Sequence, residues 1–287
     1  SEIKEVSSQQ ESEQEVAEFD ITLSFAGDVM LANFKNEKIS GGFNEYAERE
    51  KPSYFFEKVS SVFKKDDFTV VNLENVFTDN DLEEVEKDHD PAYWFRSKTS
   101  NTKILTAGGI EGVSLANNHT GDYGNKGYSD TINAVKKAGI EYGTFGKTMY
   151  YEKNGFKIAV ICCGLWGASN TSAIISQIRA EEKKTDYQII YFHGGKERIY
   201  EPEEWKVKAC RSLIDNGAEL VIGNHPHVLQ PREIYKDKEI VYSLGNFCFG
   251  GNRKPLNRTI IYQMKLTVEN ETLILRDSAS KIIPCYV

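Results

Sequence analysis

The spacing of apolar side chains divides the chain into alternating strands and helices. Residues 21–26 read as a strand running into Gly27-Asp28, 68–73 as a strand ending at Glu74, and 112–116 as a strand feeding Asn117-Asn118-His119. Between them, Phe55, Phe56, Val59, Val62 and Phe63 recur at helical spacing over 53–65, with Ser53 as cap, and 98–107 reads as a helix stopped by Gly108-Gly109. A helix over 125–138 has Gly139 just past its end, where a left-handed residue is favoured. The second half follows the same scheme. A strand over 157–162 and a helix over 172–184 precede a strand over 187–192 that delivers His193. A helix over 202–216 opens with proline and stops at Gly217, and a strand over 220–222 delivers Gly223-Asn224-His225. Residues 239–244 form a strand before Gly245-Asn246, and 259–268 with 272–283 alternate as a hairpin turning at Asn270-Glu271. Strands alternating with helices predict a mixed α/β fold, and the late helix-free strands predict a second sheet packed on the first. No repeat or linker follows Phe19, so residues 19–287 are expected to form one domain.

Composition narrows the class. A net charge of −8 argues against a general nucleic-acid binder, which needs a basic face. The longest apolar stretch, 158–168, is too short to span a bilayer. Five cysteines, an odd number with no C-x-x-C pair, read as buried apolar thiols rather than a disulfide framework. Residues 1–18 hold six Glu, four Ser and three Gln and cannot bury enough surface to offset their ordering entropy, so they read as an acidic disordered spacer. The chain opens Ser-Glu-Ile-Lys with no initiator Met and no signal peptide, which suggests a trimmed sequence. A spacer ahead of a compact domain suits an extracytoplasmic protein anchored to a membrane through a removed N-terminal segment.

Five segments share one design, an apolar strand followed by a short loop that presents a ligand-type residue. They are Gly27-Asp28, Asn72-Leu73-Glu74, Asn117-Asn118-His119 with Asp122, His193-Gly194, and His225-Pro226-His227. Ligands bind at strand ends in open α/β sheets, and loops on such a scaffold can converge from distant sequence. Four of the five histidines sit at these ends; the fifth, His89, lies in a charged loop and is expected to do no chemistry. Pro226 stiffens the loop that carries two imidazoles. Asp28, Glu74, Asn118, His193, His225 and His227 are too many donors for one tetrahedral ion and about right for two ions sharing a carboxylate. His119, with Asp122 to orient its ring, suits a general acid for a leaving group.

With these motifs in view the chain resembles the CapA, or poly-γ-glutamate capsule-biosynthesis, branch of the calcineurin-like metallophosphatase superfamily. The resemblance covers roughly residues 21–250. It rests on Gly27-Asp28-Val29-Met30-Leu31, Asn72-Leu73-Glu74, Ala116-Asn117-Asn118-His119 with Asp122 and Gly124, His193-Gly194-Gly195-Lys196-Glu197, Gly223-Asn224-His225-Pro226-His227-Val228, and Tyr242-Ser243-Leu244-Gly245-Asn246-Phe247. It implies a four-layer αββα sandwich of two mixed sheets. It also implies that Asp28 and His227 hold one metal, that Glu74 bridges, that Asn118, His193 and His225 hold a second, and that His119 is the acid. The ions implied are one or two divalent metals (Mn, Fe, Zn or Mg). Three positions depart from the wider pattern. Met30 stands where the superfamily's first motif has a histidine, and a thioether suits a hard divalent ion poorly. Glu74 is one methylene longer than the usual aspartate. Gly194 replaces the tryptophan of a motif that usually reads His-Trp-Gly-x-Glu, which removes an aromatic wall.

Arg232, Glu197 and Arg198 are candidate substrate-binding residues, the arginine because guanidinium suits carboxylate and phosphate alike. Arg253, Lys254 and Arg258 form a small basic stretch, and Trp94 and Phe95 are expected in the core. Two functions follow. One is a metal-dependent hydrolase of phosphoester-type bonds, acting on a small molecule or an acidic polymer. The other is a catalytically weak or inactive protein that binds and assembles polyglutamate at the cell surface. Either could work with membrane-bound capsule synthesis machinery.

Overall fold

The computed structural model describes residues 17–250, 254 and 256–287. The expected spacer therefore lies outside the described residues except for Ala17 and Glu18, as does Arg253 of the basic stretch. The N-terminal strand, Glu18–Val29, is the axis of the first sheet. On one side it pairs in parallel with Phe68–Leu73, which is followed by Gly112–Ser114 and Glu141–Gly143. On the other side it pairs antiparallel with Arg258–Glu269, which forms a hairpin with Leu275–Tyr286. The short strand Asn246–Cys248 joins its far end in parallel. The second sheet runs Leu229–Tyr235, Lys238–Leu244, Leu220–Asn224, Tyr187–His193, Phe156–Gly164, Met149–Lys153, with a parallel centre and antiparallel edges.

Alternation along the strands builds three apolar layers. Ile21, Leu23 and Phe25 meet Ile158, Val160, Tyr191 and Ile222 between the sheets. Ala26, Val71 and Val113 face Phe56, Phe63, Ile104, Leu105 and Val135 on the outer side of the first sheet. Ile161, Ile190 and Val221 face Ile174, Ile178, Leu213 and Ile214 of helices Thr171–Glu181 and Glu204–Asp215. Helices, sheet, sheet and helices thus stack as the expected four-layer sandwich, but the late hairpin expected in the second sheet extends the first instead, because Arg258–Glu269 pairs with the edge of Glu18–Val29. Among the described residues no helix is long and apolar enough to cross a membrane. None of the five cysteines is paired, and Cys162, Cys163 and Cys210 are buried.

Several local elements differ from the sequence expectation. The helix expected over 53–65 is a three-ten turn, Pro52–Phe56, followed by the short helix Ser60–Phe63. Both turns still bury Phe56 and Phe63, so the apolar spacing is met without one continuous α-helix. Ser53 is not a cap, because Pro52 opens the turn. Likewise 98–107 splits into Thr99–Asn101 and the helix Thr102–Gly108, which ends on Gly109 at φ 81°. The strands Met149–Lys153 and Leu229–Tyr235 were not expected. Both are edge strands with solvated side chains, which weakens their apolar alternation. The last strand begins at Leu275, because Leu273 at φ 52° lengthens the turn.

The layout puts the C-terminal ends of the parallel strands of both sheets at one edge. Register shifts between Phe25 and Asp28 and between Asp28 and Val29 interrupt the first strand there. Ala26 and Val29, three residues apart, both face the helix-side core, so the alternation has slipped and Asp28 is turned away from that face.

Candidate active site

Asp28 is fully buried at this edge, and its approach depends on glycine. A Cβ on Gly27 would lie 1.8 Å from the Gly245 carbonyl oxygen, which accepts the Asp28 N–H at 3.0 Å. The Asp28 Oδ1 lies 3.6 Å from His193 Nδ1 and its Oδ2 3.2 Å from His227 Nδ1. Glu74, also buried, places Oε1 3.1 Å from His193 Nε2. The same His193 nitrogen has Asn118 Oδ1 at 2.9 Å and His225 Nδ1 at 3.0 Å. The six expected donors therefore converge from both sheets.

Among the described residues, carboxylate and imidazole ligand atoms fall into two groups, each with all atoms within 4.8 Å of one another: Asp28, Glu74 and His193, wholly buried, and His225 and His227 with Glu197, nearer the surface. The second group is held by an unusual backbone. His225 and His227 flank Pro226 at φ 96° and 56°, conformations that bulky residues adopt only when their surroundings enforce them. The Arg198 N–H donates to the Pro226 carbonyl at 2.8 Å, which ties the Glu197 loop to the histidine loop.

His119 stands beside this cluster with Nδ1 2.9 Å from Asp122 Oδ2. Asp122 is buried and also accepts from the Phe95 N–H at 2.9 Å and from Lys87 Nζ at 2.6 Å. The Phe95 ring meets the imidazole edge-on at 4.9 Å. A cavity of about 670 Å³ opens over His119 and Asn118, lined also by Glu86, Lys87, His89 and Glu197.

Other candidates fall differently. Glu197 reaches the histidines, whereas Arg198 is exposed. Arg232 donates to Glu239 at 3.0 Å and to Ser280 at 3.2 Å, and so spans the edges of the two sheets. Phe95 is half-buried against His119 rather than in the core, because the small sheet of Asn33–Phe34, Phe95–Ser97 and Val76–Phe77 holds it at the cavity. His89, expected to be idle, lines the cavity. Met30 is buried on the wall of a separate aromatic cavity with Phe247 and Phe249.

Some contributors were missed in the sequence. The Asn72 amide nitrogen lies 2.8 Å from Asp28 Oδ1, 3.2 Å from Glu74 Oε1 and 2.9 Å from His193 Nδ1. Its carbonyl accepts from Asn117 at 3.1 Å. Asn72 precedes Glu74 by two and shares its strand face, a period-two signal that was available. Asn246 Oδ1 is 2.8 Å from His227 Nδ1. The aromatic wall expected to be lost at Gly194 is restored by Trp166, edge-on to His193 at 5.5 Å and to His225 at 5.1 Å. A side chain at 194 has no room, since its Cβ would sit 1.9 Å from the Leu165 carbonyl oxygen.

The electrostatics fit a cation. Burial, then repulsion from Asp28, pushes the Glu74 carboxyl well above its usual range. Burial acts on Asp28 in the same sense, but hydrogen bonds and charge from His193 and His227 outweigh it and hold that carboxyl low. Burial drives the His193 pKa down, and that of His225 down to about 2. Burial also opposes charge on His227, but the Glu74 and Asp28 carboxylates prevail and push it up to about 10. One ring nitrogen on His193 faces three N or O atoms and can satisfy only one of them by hydrogen bonding. Glu74 Oε2 is buried with no hydrogen-bond partner among the described residues. Oxygen and imidazole donors in this number suit one or two divalent ions, whose charge would relieve the carboxylate repulsion.

A profile of the family described as "Bacterial capsule synthesis protein PGA_cap" matches residues 22–251. The chain is 29% identical over 284 residues to the capsule biosynthesis protein CapA of Bacillus anthracis, covering 89% of this chain and 66% of that protein. It is 28% identical over 269 residues to the PGA biosynthesis protein CapA of Bacillus subtilis (strain 168), covering 85% and 68%. It thus spans about two thirds of the length of these relatives. Among solved structures it superposes on a novel phosphatase from Mycoplasma pneumoniae with a TM-score of 0.54 at 15% identity, over 94% of this chain and 95% of that one. A hypothetical protein from Thermus thermophilus superposes at 0.52 with 12% identity, over 92% and 100%. At such identities the likeness concerns the fold: two mixed sheets with flanking helices, shared with a phosphatase.

Proposed function

Because the chain belongs to the PGA_cap family of bacterial capsule synthesis proteins, we propose that it acts in capsule polymer biosynthesis as a metal-dependent hydrolase of phosphoester-type bonds. The observation that carries this reading is the meeting of six donors in one cluster, Glu74, Asn118 and His225 at His193 Nε2 and Asp28 between His193 Nδ1 and His227 Nδ1, with the His119–Asp122 pair beside them. These six residues would hold one or two divalent ions. When bound, the ions supply Lewis-acid charge to a phosphoryl oxygen. The protein's own groups do the rest. Asp122 fixes the His119 ring through Nδ1, so Nε2 is the nitrogen left to hand a proton to the leaving oxygen. Lys87 and the Phe95 N–H hold Asp122 in turn. Trp166 and Phe249 pack against the imidazoles and hold their rings in place. The cavity over His119 receives the substrate. In this reading the chain works outside the cytoplasm, beside the membrane-bound machinery that makes the polymer. The His119–Asp122 pair favours hydrolysis over polyglutamate binding alone, since binding needs no oriented acid.

The test is turnover of generic phosphomonoesters and phosphodiesters by chelator-stripped protein, before and after Mn²⁺ is restored. The expected result is turnover that appears only with the metal. Metal-bound protein that turns over none of them, while binding poly-γ-glutamate more tightly than a charge-matched polymer, would overturn it in favour of an assembly role.

A further inference from the structure

We propose that the aromatic cavity beside the strand-end cluster is the subsite for a hydrocarbon ester group of the substrate, so that the phosphoester this chain acts on carries an apolar arm rather than a glutamate or sugar one. The inference rests on the hydrolase reading given above.

The cavity measures about 840 Å³, the size of a small-molecule site. Three stretches build it: the strand Asn33–Phe34 with the turn after it, the helix Phe43–Arg49 with the three-ten turn Pro52–Phe56, and the strand Asn246–Cys248 with the residues just beyond. Six of its rings, on Phe34, Phe43, Tyr46, Phe55, Phe95 and Phe249, are half-buried rather than sealed in the core. A contiguous apolar surface left open in this way marks a binding site. None of the described residues lining it is Asp, Glu, Lys, Arg or His, in a chain that is 27% charged. Lys35 stacks on Phe34 at 5.8 Å and Arg49 on Tyr46 at 4.6 Å, but both are already paired, the lysine with Glu84 and the arginine with Glu45 and Glu50. Glutamate carboxylates would therefore meet aromatic walls instead of cations. The Asn33 amide on these walls is spent on its own loop, donating to the Glu37 carbonyl at 2.7 Å and accepting the Phe43 N–H at 2.8 Å, which leaves little to receive sugar hydroxyls. Two rings tie the cavity to the cluster. Phe95 lines it and meets the His119 imidazole edge-on at 4.9 Å, and Phe249 lines it and meets the His227 imidazole at 5.2 Å. A phosphoester held at the cluster would send its ester group past these rings, which a short arm does not clear and a longer one does. Met30, two residues beyond Asp28 and a poor ligand for a hard ion, puts a flexible thioether on this wall, where it suits an apolar guest.

The test is calorimetric titration of Mn²⁺-loaded full chain with alkylphosphonates from methyl to octyl, alongside turnover of generic phosphoesters. A buried methylene contributes about fourfold in affinity, so octylphosphonate is expected to bind about tenfold or more tightly than methylphosphonate, with the gain confined to the longer members. Alkylphosphonates ending in a carboxylate, and a glucosyl phosphonate, are expected to bind no more tightly than methylphosphonate. Ser40→Trp, at an exposed rim position where an indole fills the cavity, and Tyr46→Ala, which removes part of a wall, are each expected to bring the octyl-to-methyl ratio down to about threefold or below. Equal affinities along the series, tighter binding of the carboxylate or glucosyl arm than of the octyl arm, or a wild-type ratio in both variants would overturn the inference; with metal-dependent turnover intact, each leaves the hydrolase reading standing. Absence of turnover with every phosphoester would remove that reading and the ester-arm assignment with it.

Discussion

The two ends of the first sheet carry carboxylates in opposite employment. At the strand starts, Asp67 accepts the Thr22 N–H and a Lys153 ammonium, each at 2.7 Å. There too Glu111 accepts the Thr69 N–H at 2.9 Å, and Asp66 accepts its hydroxyl at 2.8 Å. These side chains close the open ends of backbone ladders. At the strand ends, Asp28 and Glu74 face imidazoles and one another instead. At the starts the carboxylates bond to backbone and hydroxyl groups of the sheet, although Asp66 Oδ1 has no partner among the described residues, while at the ends Glu74 leaves Oε2 without such a partner and turns Oε1 to an imidazole. What a carboxylate faces, rather than its presence near a strand, separates a cap from a ligand.

The largest effect that tests this contrast comes from Asp28→Asn. It is expected to abolish metal-dependent turnover and tight ion binding, whereas Asp67→Asn is expected to leave both intact; calorimetric metal titration alongside turnover reads the difference. Next, His119→Asn is expected to lower kcat by about 10²–10⁴-fold with ion binding retained, because the acid's proton and not the metal is removed. Steady-state kinetics on metal-loaded protein check it. A smaller effect follows at Gly27→Ala, where the new methyl meets the Gly245 carbonyl. The expected loss is about 1–3 kcal/mol in denaturant unfolding, as for an overpacked core, together with weaker ion binding.

The smallest effect belongs to the cap end. Burial pushes the Glu111 carboxyl from 4.5 up to about 7. Between these values the folded chain holds more protons than the unfolded chain, so stability falls as pH rises from about 4.5 to about 7. Glu111→Gln keeps an acceptor for the Thr69 N–H and is expected to flatten that slope. Thermal unfolding of wild type and variant across this range gives the comparison.

Much of this was legible in the sequence, for a physical reason. Strand-end loops recur as an apolar run followed by Gly or Asn and a donor, so Asp28, Glu74, Asn118, His119, His193, His225 and His227 could be picked out before any coordinates. Strand and helix alternation pointed to a mixed, helix-covered sheet with a second sheet packed on it, and the family resemblance to the four-layer order. What stayed hidden depends on which loops meet. Lys87 and His89 sit in an acidic loop with no periodicity, and reach the site only because the loop folds against Asp122. Trp166 occupies the loop after Phe156–Gly164, a strand end that presents no metal-ligand side chain of its own and so drew no notice. Glu197, a substrate-binding candidate on its sequence, lies with His225 and His227 in one group of polar atoms, a proximity that a separation of some thirty residues does not reveal.

The central claim, that strand-end side chains from both sheets form one divalent-ion centre, is tested most directly by anomalous diffraction from Mn²⁺-loaded crystals. The account predicts strong peaks bounded by Asp28, Glu74 and His193 and by His225 and His227. Fully loaded crystals with no peak at either position, and the His193 and His227 rings turned away from Asp28, would contradict it.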